Sequence, residues 1–448
     1  MRAGPKRLEP NVDVKVAFIS PCGFGNLGDV AIQDTFIQGV REQLGAVEIV
    51  GITQNPADTE DRHHVRAVAM DALAYGLRRQ TRPAGGPATG GDGADASGAL
   101  GRAVRRVKVG VKDVIHWGVA FREMRGTDTL VVSGGGQLDD HWGGPWRVPY
   151  ALWKWSLVAR ILRKRVVVLS VGAGTTDSRV TRFFLRSALR RADYRSFRDE
   201  RTAARVRSLG VSSQPRVVPD LAFGHDGRRT ARSHAVTGRP PTVVISPIAF
   251  LDPVAWPAKD RQTYRSNLLR TADLIGLLLD RGYHVVLCTS DSPDVKSAEE
   301  LVAAVGPGRG SLELADTRTP AEVLDAFARA DVGVASRLHG LILANLAAAP
   351  AIALSYDWKV DEHMRTMGLE RFTFPISSFE PEQVLAAVEE ILAERDTLAT
   401  AVAQRCETLA EAVRAQFHDV FAPSEAASVG SVDGSQDEHR VAAAGSVE

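Results

Sequence analysis

The chain reads as an α/β protein of two doubly wound, parallel-sheet domains facing a cleft, and three observations predict it. Short apolar runs of strand length alternate with longer segments of helical period, the pattern of parallel strands covered by helices on both faces. Most of the runs end near Gly, Ser, Thr or Asn, which places turns and ligand-facing loops at the carboxyl ends of strands. The runs also fall into two sets, separated by a polar stretch without periodicity. At about 150 residues per domain, 448 residues suffice for two or three compact units.

The first set predicts strands at 15–20, 47–53, 129–134, 165–171 and 194–198, within a domain spanning 1–225. Inside it, residues 81–101 are too poor in large apolar groups to pack and read as a flexible insertion. Residues 226–241 read as the interdomain linker. The second set predicts strands at 242–247, 284–290, 331–336 and 351–356, within a domain spanning 242–422. Over 381–417, Val384, Leu385, Val388, Ile391, Leu398, Val402, Leu409 and Val413 recur at helical spacing, so one or two amphipathic helices should close that domain. The acidic tail 423–448 is expected to be disordered.

Fifty-five Lys and Arg against 54 Asp and Glu give no global field for nucleic acid. Cys22, Cys288 and Cys406 lie far apart with no CxxC pair, which disfavours a disulfide framework or a cysteine metal site and makes a reducing cytoplasm the expected compartment. The basic start MRAGPKRLEP precedes an apolar run too short for an export signal, and no apolar run has spanning length. Charge is uneven locally: residues 160–207 carry fourteen Arg and Lys against four Asp and Glu. With the tryptophan-rich stretch HWGGPWRVPYALWKWSLVARILRKR, where Lys154 and Arg160 would carry the charge, this suits peripheral contact with an anionic membrane. The alternative is a solvated Arg-rich helix face.

Three segments could carry chemistry. Gly23-Phe24-Gly25-Asn26-Leu27-Gly28 matches GxGxxG by letter, but the following strand ends Thr53-Gln54-Asn55 without the acidic residue that a nicotinamide ribose needs. What remains is a glycine loop at a helix N-terminus with free N–H groups, to which Asn26 and Asp29 add polar side chains; a plain tight turn is the alternative. The second segment, Ser133 to Arg147, offers three glycines at a strand end and then Gln137, Asp139, Asp140, His141, Trp142 and Trp146, a set suited to a hydroxyl-rich sugar unless the tryptophans simply pack. The His and its neighbouring carboxylates lack metal-ligand spacing, so no metal is expected. In the third, Ser336-Arg337-Leu338-His339-Gly340 opens a helix after a strand, and Lys359 emerges from the next strand end. Two cations, an imidazole and a helix dipole together suit a small, multiply charged anion. The alternative pairs Arg337 with a buried Asp and leaves Lys359 unexplained.

In order along the chain, GFGNLGD, VVSGGGQLDD, VVLSVGAG, SFRDE, VVPDLAF, SRLHG and SYDWKV resemble the polysaccharide pyruvyltransferase family over about residues 15–370. The resemblance implies two Rossmann-like domains in the GT-B arrangement. It also implies transfer of the enolpyruvyl unit of phosphoenolpyruvate onto two sugar hydroxyls, giving a cyclic pyruvate ketal and phosphate, with no further cofactor. On that reading Ser336, Arg337, His339, Lys359 and Arg198 bind the donor, and His339, with Arg337, is catalytic as acid or base. Asn26, Asp29, Gly135, Gln137, Asp139, Asp140 and Trp142 face a sugar or polysaccharide acceptor, free or lipid-linked. A nucleotide-sugar glycosyltransferase of the same shape and a non-enzymatic carbohydrate-binding protein are the rival readings.

Overall fold

The computed structural model describes residues 14–72, 99–141, 143–174, 176–211, 215–227, 239–254, 256 and 258–422. Its first sheet has seven parallel strands: β1 (Val14–Ser20), β2 (Val47–Thr53), β3 (Arg66–Ala69), β4 (Thr129–Ser133), β5 (Arg165–Val171), β6 (Tyr194–Phe197) and β7 (Arg216–Val217), in spatial order β3-β2-β1-β4-β5-β6-β7. The connecting helices are α1 (Leu27–Leu44), α2 (Pro56–His63), α3 (Ala99–Arg125), α4 (Val148–Ile161), α5 (Arg179–Arg191) and α6 (Glu200–Ser208). The second sheet has six parallel strands: β8 (Thr242–Ser246), β9 (His284–Leu287), β10 (Leu312–Leu314), β11 (Val332–Ala335), β12 (Ala351–Ser355) and β13 (Thr373–Pro375), in order β10-β9-β8-β11-β12-β13. It is wound by α7 (Arg261–Asp280), α8 (Asp294–Val305), α9 (Pro320–Ala328), α10 (Leu338–Leu346), α11 (Trp358–Met367), α12 (Pro381–Ala393) and α13 (Arg395–Phe421).

Both sheets reverse direction of winding at the same place, between β1 and β4 in the first and between β8 and β11 in the second. Ligands of open α/β sheets bind outside such switch points. In β1 the alternation is clean: Val16 and Phe18 enter one core, Ala17 and Ile19 the other. The core that takes Val16 and Phe18 continues through α1 into the second domain, so the two halves share buried apolar surface.

Each expected strand is present. The insertion expected at 81–101 lies outside the described residues up to 98, while 99–101 open α3; residues 228–238 of the linker and the tail from 423 also lie outside them. One difference concerns the closing helices. α13 begins on the second domain, where Arg395 Nε stands 3.4 Å from Asp331 Oδ1, and ends on the first. There Gln416 donates to Ser170 Oγ at 3.0 Å and accepts from Ser196 Oγ, and Phe417 packs on Phe36. Helical periodicity shows that a face is buried; it does not say which domain buries it.

Candidate functional site

At the end of the glycine loop after β1, the amides that open α1 are already bonded. Asn26 caps α1, its Oδ1 accepting from the N–H groups of Gly28 at 3.0 Å and Asp29 at 3.1 Å. The Leu27 N–H donates to the Ser290 carbonyl at 2.9 Å, and the Ser292 N–H to the Gly25 carbonyl at 3.2 Å. The expected anion cradle is thus a joint: the loop is hydrogen-bonded to the segment after β9 in the other domain. Asn26 is occupied in capping and Asp29 alone of that pair presents a charged group to the cleft.

α10 starts differently. Its N-cap residue, Arg337, makes no side-chain capping bond, so the first amides of the helix are not closed by a side chain. Ser336, at the end of β11, is buried. The His339 ring lies against Gly28 of α1, where a Cβ would stand 2.0 Å from the ring Cγ; only glycine permits this approach of the two helix starts. His339 Nε2 is 3.6 Å from Asp220 Oδ2, an ion-pair separation. Among the described residues, neither His339 Nε2 nor the buried Ser290 Oγ has a hydrogen-bond partner.

Asp220 is shared. Its Oδ1 accepts from the Ala222 N–H at 3.1 Å and its Oδ2 from Arg198 Nη1 at 3.2 Å. Burial opposes its ionisation, but His339 and Arg198 outweigh burial and hold the carboxyl far below its usual range. Arg198 finds room because Gly172 has no side chain: a Cβ there would lie 2.5 Å from Nη2. Asp29 behaves in the opposite way, its pKa raised by burial and by Asp220, with His339, Arg198 and Arg337 pulling it back. Gly135, in the left-handed region at φ +68°, lies beside it, a Cβ position 3.6 Å from Asp29 Oδ1.

Arg337, expected to grip an anionic donor, has its fork engaged by protein: Nε and Nη2 bind the buried Asp294, the latter at 2.9 Å, and Nη1 lies 3.0 Å from Asp291. Asp294 Oδ1 also accepts from the Ala249 N–H at 2.9 Å. Against burial, the two carboxylates hold the guanidinium more firmly protonated than usual, whereas burial and Asp294 raise the pKa of Asp291. Arg337 therefore pins the start of α10 to the loop after β9. Lys359 remains the accessible cation, 3.5 Å from Asp357 Oδ2 and 5.5 Å from the centre of the Tyr356 ring.

The acceptor-side loop after β4 divides. Asp139 is in the cleft, its carboxyl pushed up to about 6 by burial, with the His141 N–H and the charge of Lys359 across the cleft restraining the shift. Gln137 and Asp140 are taken up by the fold. The buried Gln137 amide donates to the carbonyls of Ile19, Ser133 and Gly134, and Asp140 Oδ2 accepts from Thr181 Oγ1 at 2.6 Å. Trp142 lies outside the described residues, and Trp146 packs against Phe184. Lys154, expected on a basic surface, is fully buried, donating to Asp113 Oδ1 at 2.8 Å and to His116 Nδ1 at 2.9 Å; Arg160 pairs with Asp193.

Sequence reasoning did not single out Asp220, Asp291, Asp294 or His363. Asp220 sits in the VVPDLAF segment, and the other two aspartates in Ser290-Asp291-Ser292-Pro293-Asp294 directly after a strand, a position that could have drawn notice. His363, kept neutral because burial lowers its pKa to about 3, donates to Asn345 Oδ1 at 2.9 Å. Among the described residues, no group of three or more His, Cys, Asp or Glu could hold a metal ion.

Known structures share the architecture. UDP-GlcNAc 2-epimerase from Methanocaldococcus jannaschii aligns with TM-score 0.52 at 11% identity, covering 89% of this chain and 100% of that one. The Neisseria meningitidis UDP-GlcNAc 2-epimerase bound to UDP-GlcNAc gives 0.53 at 10%, covering 91% and 98%. MurG from Acinetobacter baumannii gives 0.50 at 14%, covering 91% and 99%. At these identities the likeness shows the fold, which is GT-B. A search of curated proteins found no match. The family model for polysaccharide pyruvyl transferase matches residues 26–357, from the N-cap of α1 to the N-cap of α11, and so takes in both helix starts, the β4 loop and the Arg198–Asp220 pair. With three quarters of its length matched, the chain belongs to the polysaccharide pyruvyl transferase family and is a transferase with a sugar or polysaccharide acceptor.

Proposed function

We propose that the enzyme transfers the pyruvyl unit of phosphoenolpyruvate onto two hydroxyls of one sugar in a polysaccharide or glycolipid precursor, forming a cyclic ketal and releasing phosphate. The observation that carries this reading is the start of α10: a helix N-terminus without a side-chain cap, where His339 Nε2 has no hydrogen-bond partner among the described residues, and Lys359 in the first turn of the next helix. A donor with a carboxylate and a phosphate suits that set, with Lys359 and Arg198 meeting its charges and the α10 amides its phosphate.

In the proposed sequence His339, with Asp220 as counter-charge, gives a proton to the donor methylene. The positive character that develops at the adjacent carbon is quenched by a sugar hydroxyl, forming one C–O bond. Asp139, with its pKa near 6, is suited to take that hydroxyl's proton. The second hydroxyl then forms the second C–O bond as the bond to phosphate breaks. Of the two hydroxyl protons, one balances the proton delivered to the methyl group and the other leaves with phosphate. Arg337 is a positioning residue on this reading.

The test is a thermal-shift titration of wild type, His339→Ala and Lys359→Ala with phosphoenolpyruvate and, separately, UDP-GlcNAc. Stabilisation of wild type by phosphoenolpyruvate and a weakened response in both variants is the expected result. Stabilisation by the sugar nucleotide alone would replace the reading with a glycosyltransferase.

A further inference from the structure

The proposed chemistry leaves one large surface of the first domain unused, and we propose that this surface docks the enzyme on an anionic lipid bilayer. α3 packs on α4 and α4 on α5 along one face of the first sheet. Aromatic rings run across all three helices. Trp117 of α3 meets Trp153 of α4 at 5.9 Å, Trp153 meets Phe184 of α5 at 5.3 Å, and Phe184 meets Phe183 at 5.7 Å and Trp146 at 5.4 Å. Beside that run, large apolar side chains stand in solvent: Val114 is 72% exposed, Ile115 52%, Trp146 65% and Phe183 58%. A folded domain gains nothing from exposing three such groups on α3 and α5 and a fourth in the loop before α4.

Charge says what covers them. α5 has no acidic residue and exposes Arg179, Arg182, Arg186 and Arg190 around Phe183, none with an ion-pair or hydrogen-bond partner among the described residues. Lys112, on the exposed part of α3, adds a further positive charge. Apolar and aromatic side chains at the acyl boundary, with unpaired arginines at the level of lipid phosphates, match a bilayer surface. The charges that matter are those of α5, since Lys154 is buried and Arg160 is paired.

The location is also apt. Trp146 ends the same loop that places Asp139 in the cleft, and Asp140 of that loop is bonded to Thr181 in the first turn of α5. The docking face thus borders the acceptor side of the site.

Co-sedimentation with vesicles of phosphatidylcholine alone or with about 30% phosphatidylglycerol tests it, using wild type, the double variant R182E/R186E, and Phe183→Ser. Wild type should pellet with the anionic vesicles and less so as salt rises. The double charge reversal should lower the partition coefficient roughly tenfold or more, and Phe183→Ser severalfold, with thermal melts close to wild type because all three side chains are exposed. Failure of wild type to pellet, or equal pelleting of R182E/R186E, would overturn the proposal. So would a lipid-free wild-type dimer that Phe183→Ser converts to monomer, which would assign the face to a second copy of the chain.

Discussion

Two helix starts meet in the cleft, and they solve the same problem in opposite ways. α1 and α10 each follow a parallel strand next to a switch point and each carries a glycine within its first three residues. At α1, Asn26 and the Ser290 carbonyl satisfy the leading amides, and the helix start is a hydrogen-bonded joint between domains. At α10 no side chain caps the helix, and charge is concentrated beneath it instead: Arg337 on Asp291 and Asp294, His339 on Asp220. A glycine motif is therefore weak evidence for an anion site; whether its amides are already bonded is the deciding fact.

Four perturbations sharpen or break this contrast. The largest effect is expected from His339→Asn, which should lower kcat about a thousandfold, within the range of a lost acid–base group, while the melting temperature stays near wild type. Phosphate release from phosphoenolpyruvate in the presence of acceptor would measure it, and near-normal turnover would remove His339 from the chemistry. Arg337→Ala comes next, with a loss of stability of about 3 kcal/mol in urea unfolding, because Asp294 and Asp291 would be left buried and unpaired. An unchanged midpoint would mean that the pair is not anchoring α10.

Asp139→Asn should cost about a hundredfold in kcat and abolish the rise in rate through pH 6 that the raised pKa predicts for wild type. The stability effect has a definite sign. A carboxyl whose folded pKa is raised to about 6 binds its proton more tightly in the folded state, so its contribution is present below about pH 4 and is lost as pH rises through 6. Above pH 6 the Asn variant should then unfold at higher urea than wild type, and a lower midpoint would contradict the buried setting of this group. The smallest effect is expected from Asn26→Ala: about 1 kcal/mol of stability from the lost cap, with phosphoenolpyruvate affinity within about twofold of wild type.

The central strands were legible because parallel strands buried on both faces are written as continuous apolar runs, such as Val166-Val167-Val168-Leu169. β3, β7, β10 and β13 were not: they are edge or near-edge strands of two to four residues, partly exposed, and Arg216-Val217 has no pattern to read. In the site, His339, Lys359, Asp29 and Asp139 stand out as charged or titratable groups at strand ends, which local spacing reveals. The partners that decide their behaviour come from elsewhere in the chain. Asp220 lies more than a hundred residues from His339, and Asp294 more than forty from Arg337. For the same reason the types of Gln137 and Asp140, which suit a sugar, do not reveal their hydrogen bonds to Ile19, Ser133, Gly134 and Thr181, which depend on how the loop folds back.

The most direct test of the contrast is a calorimetric titration of phosphoenolpyruvate into wild type, His339→Asn and Asn26→Ala. If the donor sits at the start of α10, wild type and Asn26→Ala bind with similar affinity while His339→Asn binds about tenfold or more weakly. If Asn26→Ala abolishes binding and His339→Asn retains it, the donor sits at α1 and the assignment of the two helix starts is reversed.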